Sequence, residues 1–259
     1  MQVTIIGLGG TGTWVVHPVA TWLVSQKKPS TRLTLVDGDA YEEGNRDRQF
    51  FRYPGNKATS KARELGEQLP ALRVEALPEF CNPENIPFIC GEGEIVLLCV
   101  DNHPTRKLVS EFVQANCRDI AVISVGNELE YGTVLVYVRR GGVDVTPPLH
   151  ALEEIAHPQG KAPYEMSCEE RAAAGDPQIL PMNVAAASAC MSAFWKFVTA
   201  PESFGIEPQS ADAKQMRAYT RVDFDIRAHT ARARVLPVAP ASTPPVATSG
   251  ASQEQEAAA

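Results

Sequence analysis

Val3-Thr4-Ile5-Ile6-Gly7-Leu8-Gly9-Gly10-Thr11-Gly12 runs from a short apolar stretch into four glycines, and Thr11 to Val24 follows with Trp14, Val15, Ala20 and Leu23 at helical spacing. That order predicts a strand, a tight turn and a helix. Gly7, Gly9 and Gly12 also satisfy the dinucleotide-type fingerprint, in which bare backbone N–H groups at a helix start can face phosphate. A second apolar run, Arg32 to Val36, ends in Asp37, 25 residues after Gly12. An acidic residue there lies at the carboxyl end of a strand, the usual ligand edge of an open parallel sheet. The first forty residues therefore predict a βαβ unit.

Working outward, Asn56 to Leu69 predicts a helix, Leu72 to Ala76 a strand, and Glu94 to Val100 a strand buried on both faces, because it is almost continuously apolar. Thr105 to Asn116 predicts a helix, Ile120 to Ser124 a strand, and Gly132 to Arg139 a β-branched run that pairs antiparallel. Gly141 to Ser167 is rich in Pro, Gly and polar residues and is expected to be a long crossing loop. Pro181 to Val198 carries small and apolar residues on nearly every side, as a closely packed helix does. Tyr219 to Asp225 and Thr230 to Val235 are expected to form a terminal strand pair. The expected fold class is α/β, with a Rossmann-like, mainly parallel sheet, helices on both faces and C-terminal antiparallel strands. One domain over 1–237 is expected, followed by a Pro-, Ala-, Ser- and Gln-rich tail, 238–259, too poor in large apolar groups to repay ordering.

Composition narrows the function. A net charge of -7 with scattered Lys and Arg argues against a nucleic-acid surface. No apolar run reaches the roughly 20 residues a membrane helix needs, and no basic leader opens the chain, so a cytoplasmic protein without a membrane partner is expected. The six cysteines include no Cys-x-x-Cys pair and the five histidines form no metal motif.

The segment Asp37-Gly38-Asp39-Ala40-Tyr41-Glu42-Glu43-Gly44-Asn45-Arg46-Asp47-Arg48-Gln49 is what separates a triphosphate from a dinucleotide. Asp37 can accept from ribose hydroxyls in either case. A forked guanidinium at Arg48 flanked by the amides of Asn45 and Gln49 orients and neutralises phosphate oxygens, and an NAD(P)-dependent oxidoreductase has no requirement for them. That oxidoreductase, and a nucleotide-binding scaffold without catalysis, are the competing readings.

Gly-x-Gly-Gly-x-Gly from Gly7, then Asp37-x-Asp39 with Asn45 eight and Arg48-Gln49 eleven and twelve residues on, resembles the adenylyltransferases that activate ubiquitin-like proteins, the E1-like superfamily of the ThiF and MoeB type. Asn56-Lys57-Ala58 and Val100-Asp101-Asn102, with Arg106 four residues later, extend the resemblance over about the first 110 residues. It implies an enzyme using ATP and Mg2+ to adenylylate the C-terminal carboxylate of a small ubiquitin-like or sulfur-carrier protein with a glycine tail, and a homodimer. It also implies nucleotide contacts at Gly7, Gly9, Gly10, Gly12, Asp37, Asp39, Asn45, Gln49 and Asn102. Arg48 and a lysine would lie on phosphates, and Asp101 on the metal. Lys57 fits the local Asn-Lys-Ala pattern and Lys61 fits the distance from Arg48, so both stay open. Some members pass the acyl group to a cysteine. Cys168, in a Cys168, Gln178, Asn183 arrangement similar to some ThiF-like proteins including the PRTRC type, is the candidate, with Cys99 and Cys190 expected as small buried hydrophobes. Many relatives place an arginine-bearing helix ahead of the first strand, whereas here the strand begins at residue 2.

Overall fold

A computed structural model describes residues 1–28, 30–167, 170, 178–204 and 219–238. In chain order it forms β1 (Gln2–Ile6), α1 (Gly12–Ser25), β2 (Arg32–Val36), β3 (Ala40–Tyr41), β4 (Gly55–Asn56), α2 (Lys57–Gln68), β5 (Arg73–Leu77) and α3 (Ile86–Ile89). There follow β6 (Ile95–Leu98), α4 (His103–Asn116), β7 (Ile120–Asn127), β8 (Tyr131–Arg140), β9 (Val143–Asp144), α5 (Glu153–Ala156), α6 (Leu180–Thr199), β10 (Arg221–Asp225) and β11 (Thr230–Arg234).

The principal sheet has nine strands in the order β11-β10-β8-β7-β6-β1-β2-β5, with β9 beside β8. Strands β7, β6, β1, β2 and β5 are mutually parallel, while β8, β10 and β11 add on antiparallel. The expected α/β class and C-terminal antiparallel strands are what the fold contains. Those last strands extend the main sheet rather than standing apart. β11 is one edge of the sheet and β5 the other, and every residue in β11 is exposed.

Side chains alternate between two cores, as the two-residue period of a strand demands. Ile95 and Leu97 of β6 join Val15, Val19 and Leu23 of α1, Leu65 of α2 and Phe194 of α6 on one face. Val96 and Leu98 join Ile86, Val109, Val113 and Ile155 on the other. This double burial is why Ile95–Leu98 is apolar without interruption.

The segment expected as one crossing loop is more ordered than its composition suggests. Val143–Asp144 pairs with β8, and the Thr146 hydroxyl accepts from Val138 N and donates to Val136 O. The Asp144 carboxylate accepts from the Tyr137 hydroxyl at 2.7 Å and from Gln114 at 2.7 Å, and pairs with Arg139. These long-range polar ties are invisible to local periodicity. The expected tail beyond Val238 lies outside the described residues.

The sheet order puts the change of direction between β1 and β6. From β1 the chain proceeds outward to β2 and β5, and from β6 it proceeds the other way. The crevice above their carboxyl ends is where such sheets hold ligands.

Candidate functional site

Three connections meet over that crevice, after β1, β2 and β6. The first is the glycine loop. Gly7 has φ +87, and a Cβ there would lie 2.9 Å from Cys99 O. A Cβ on Gly12 would lie 1.9 Å from Gly7 O, so the loop closes on itself only without side chains. Gly9 has nothing within 4 Å of its Cβ position and faces open space. Thr13 N bonds Gly9 O and Trp14 N bonds Thr11 O, whereas Gly9, Gly10 and Thr11 donate no N–H to a backbone carbonyl among the described residues. Free donors at the start of a 14-residue helix form an anion-binding concavity.

The second connection is docked onto the first. The Thr13 hydroxyl donates to Phe50 O at 3.0 Å and Trp14 Nε1 donates to Arg48 O at 3.1 Å, which brings the arginine segment to the start of α1. Arg48 Nη2 donates to Asn45 Oδ1 at 2.5 Å. Gln49 is buried and its Oε1 has no hydrogen-bond partner among the described residues. The Asn56 amide donates to Asp37 O and Asp39 O, drawing the start of α2 to the end of β2.

The two aspartates have separate duties. Asp37 accepts from Leu8 N at 2.5 Å and Asp39 N at 2.8 Å, so its carboxylate ties the glycine loop to β2. Burial pushes its pKa up to about 6, against the opposing pull of Lys57 and of the Leu8 N–H. The ionised form is therefore disfavoured by the fold. Stability contributed by this site is full below the ordinary Asp value and is lost as pH rises from about 4 through about 6. The loss is on the order of 3 kcal/mol at pH 7. In Asp37→Asn the change in denaturant-derived stability between pH 4.5 and 7 should shrink by about 2 kcal/mol, the part of that loss falling in this window. An unchanged pH dependence would refute the assignment. Asp39, with its side chain 45% exposed, faces outward and pairs with Lys57 Nζ at 3.3 Å.

The two candidate lysines also differ. Lys57 borders the opening through Asp39. Lys61 is fully enclosed, 3.0 Å from Glu64 and within 5.1 and 4.9 Å of the Phe50 and Phe51 ring centres. Burial lowers the Lys61 pKa. Burial alone would raise that of Glu64, but hydrogen bonds from His17 and Lys61 hold it below the usual range. Lys61→Ala leaves a carboxylate in the interior with His17 alone and should cost about 3 kcal/mol or more in denaturant unfolding. Lys57→Ala removes a buried cation but leaves its partner Asp39 half exposed, so it should cost less than Lys61→Ala, about 1–2 kcal/mol.

The third connection carries Asp101, which is exposed and has no ion pair among the described residues. Asn102 Oδ1 accepts from Thr105 N at 2.9 Å and caps α4. Arg106 is buried, donating to Val100 O at 2.7 Å and Val125 O at 3.3 Å, and its guanidinium lies flat on Gly126, where a Cβ would meet Nη2 at 2.4 Å. From Asp101 a cleft of about 320 Å³ runs past Arg106, Asn127 and Glu128 to Tyr131 and Glu154.

The glycine loop, Asp37, Asp39, Asn45, Arg48, Gln49, Lys57, Asp101 and Asn102 are all carried by these three connections. Cys168 lies outside the described residues. Cys99 and Cys190 are buried, as expected of small hydrophobes, and a hydrogen bond with Cys190 together with burial holds the Cys99 thiol well above its ordinary pKa. Asn127 was not singled out by sequence reading, and an isolated asparagine after a strand offers no local signal. No helix among the described residues is long and apolar enough to cross a membrane.

Over residues 1–235 the chain matches the ThiF family. Adenylyltransferase and sulfurtransferase uba4 of Aspergillus niger is 35% identical over 114 residues, which is 42% of this chain and 22% of that protein. Sulfur carrier protein adenylyltransferase of Thermus thermophilus is 29% identical over 153 residues, 58% of this chain and 51% of that protein. The chain thus spans about half the length, or less, of these relatives. Among solved structures, E. coli MccB with MccA-N7isoASN has a TM-score of 0.66 at 19% identity, covering 93% of this chain and 65% of that one, a likeness of fold.

Proposed function

This chain belongs to the ThiF family, and on that premise we propose that it is an adenylyltransferase acting on the C-terminal carboxylate of a small ubiquitin-like or sulfur-carrier protein. The observation that carries the reading is the docking of the Asn45–Gln49 segment onto the start of α1, which brings an arginine-bearing turn and the unpaired glycine-loop N–H groups to the same helix start. A polyphosphate satisfies both at once. The named activities of the relatives, adenylyl transfer in uba4 and in the sulfur carrier enzyme, support the same reaction.

ATP fits this cradle. Gly9 leaves room for a phosphate, and Gln49 Oε1 is a buried acceptor awaiting a donor. Asp39 offers an open carboxylate for the ribose hydroxyls, while Asp37 holds the loop. Arg48 must leave Asn45 and the exposed Asp47 carboxylate, 3.1 Å away, to fork onto phosphate oxygens. Lys57 is the lysine at the opening.

In the reaction an oxygen of the acceptor carboxylate forms a bond to the α-phosphorus. The bond from that phosphorus to the bridging oxygen breaks, and its electron pair departs on pyrophosphate. The product is an acyl adenylate. The chain supplies alignment and positive charge rather than a nucleophile for this step. Asp101 suits Mg2+, which is held by one or two carboxylates together with substrate phosphates, and the ion would neutralise charge on the phosphates.

Incubation with ATP, labelled pyrophosphate and a small β-grasp protein ending in Gly-Gly should return label to ATP only when the acceptor is present. ATP binding without exchange would favour a non-catalytic scaffold, and preference for NAD(P) over ATP would refute the reading. Lys57→Ala should weaken ATP binding at least about tenfold while leaving the fold intact. We further propose that Cys168 accepts the acyl group as a thioester. A thiol-labile adduct lost in Cys168→Ala would support this, and unchanged onward transfer by that variant would end it. The same reading supports a homodimer in the cytoplasm.

A further inference from the structure

Thr11, Asn127 and Asn183 form a run of side-chain hydrogen bonds above the carboxyl edge of the sheet. The Thr11 hydroxyl donates to Asn127 Oδ1 at 2.7 Å, and Asn127 Nδ2 donates to Asn183 Oδ1 at 3.1 Å. Thr11 precedes α1, where a threonine commonly caps the helix, yet it makes no side-chain cap. Its hydroxyl is turned to the asparagines instead. The run ends on Asn183 Nδ2, which has no hydrogen-bond partner among the described residues although Asn183 is wholly buried.

An interior amide N–H without an acceptor costs about 1–3 kcal/mol, so its presence calls for an explanation. The orphan stands against the glycine loop. A Cβ on Gly10 would lie 2.3 Å from Asn183 Nδ2 and 2.2 Å from Gln178 Oε1. Asn127 ends β7 and also lines the cleft that begins at Asp101. The run is thus on the β7 side of the loop, opposite the ribose side marked by β2 and Asp39.

We propose that Asn183 Nδ2 is the donor that receives the acceptor's terminal carboxylate beside Gly10, an inference that rests on the adenylyl-transfer reading. On arrival the partly exposed Gln178 side chain, whose Oε1 lies beside Gly10 without bonding the amide, gives way to a carboxylate oxygen that does bond it. A neutral donor suits this task. A cation there would compete for ATP phosphates and quench the nucleophile, whereas one amide N–H orients a single oxygen and leaves the other free to reach the α-phosphorus. Thr11 and Asn127 hold the amide in that orientation, so Asn183 would touch the substrate while the other two position it.

The test follows the Asn183 side-chain amide by NMR in the full chain, with Asn-selective labelling. The probes are the α,β-methylene analogue of ATP and a ten-residue peptide ending in Gly-Gly. The analogue alone should leave the Asn183 signal in place, and the peptide added to it should move one Nδ2 proton downfield. A shift produced by the analogue alone assigns the donor to phosphate and overturns the proposal, as does no shift with peptide. In exchange assays Asn183→Leu should raise the peptide KM about 10- to 100-fold with ATP affinity unchanged. Asn183→Asp should recover activity relative to Asn183→Leu as pH falls and its carboxyl becomes a donor. Equal losses for ATP and peptide would make Asn183 a packing residue only. If neither variant folds, the wild-type spectra decide. A peptide that moves Asn183 but supports no exchange defeats the adenylyl-transfer reading and leaves the carboxylate site. Exchange without the shift does the reverse.

Discussion

Asp101→Ala should lower acceptor-dependent ATP–pyrophosphate exchange by about 10³-fold or more while the folded protein keeps its melting temperature. The two halves of that expectation come from one fact. Asp101 sits just past β6, exposed and without an ion pair among the described residues, and its charge reaches the fold through the buried Arg106, whose cationic form it favours against burial. Its removal should cost no more than about 1 kcal/mol of stability. For the reaction it removes the carboxylate nearest the mouth of the cleft that would hold a metal against the phosphates. Asp101→Asn, which keeps the shape and deletes the charge, should fall nearly as far. Exchange retained by either variant would show that the metal assignment is wrong. A large drop in melting temperature would instead show that Asp101 supports the loop.

Gly12→Ala should destabilise the protein by about 3 kcal/mol or more, a fall on the order of 10 °C in melting temperature. The added Cβ meets the Gly7 carbonyl oxygen at 1.9 Å and its carbon at 2.9 Å. Those are backbone atoms pinned by Gly7 N to Val36 O, so no side-chain rotation relieves the clash. Gly9→Ala is the matched control. Its Cβ meets nothing within 4 Å, so the melting temperature should hold while ATP affinity falls about 100-fold, because the methyl occupies space intended for a phosphate. Equal thermal losses in the two variants would remove the distinction between a closing glycine and a facing one. Full ATP affinity in Gly9→Ala would move the phosphate elsewhere.

Much of this architecture was legible in the chain itself. Glycines followed by helical spacing, and an aspartate after the second apolar run, announced β1, α1 and β2 because each signal is local. Ile95–Leu98 announced a doubly covered strand for the same reason. The family was legible where spacing is specific, in Asn45, Arg48 and Gln49. What escaped were tertiary facts. That Asp37 spends its carboxylate on Leu8 N depends on a partner 29 residues away. A lysine in an amphipathic helix reads as solvated, yet Lys61 is enclosed, and only Glu64 three residues on and the Phe50-Phe51 pair hinted at a buried charge. Neither Asn127 nor the hydroxyl of Thr11 could be assigned before β7, α1 and α6 were brought together. The ordering of the segment after Gly141 was hidden because Asp144 and Thr146 act through β8 and α4.

The outermost strand has a further effect on how the molecule behaves in company. Thr230–Arg234 presents one side of its backbone to water, a template on which a foreign strand could grow. Arg232 and Arg234 recur along that rim, and Arg234 is held at it by Asp223. Two such rims meeting in antiparallel fashion would bring guanidinium groups close together, so like-charge repulsion guards the protein against fibrillar self-stacking.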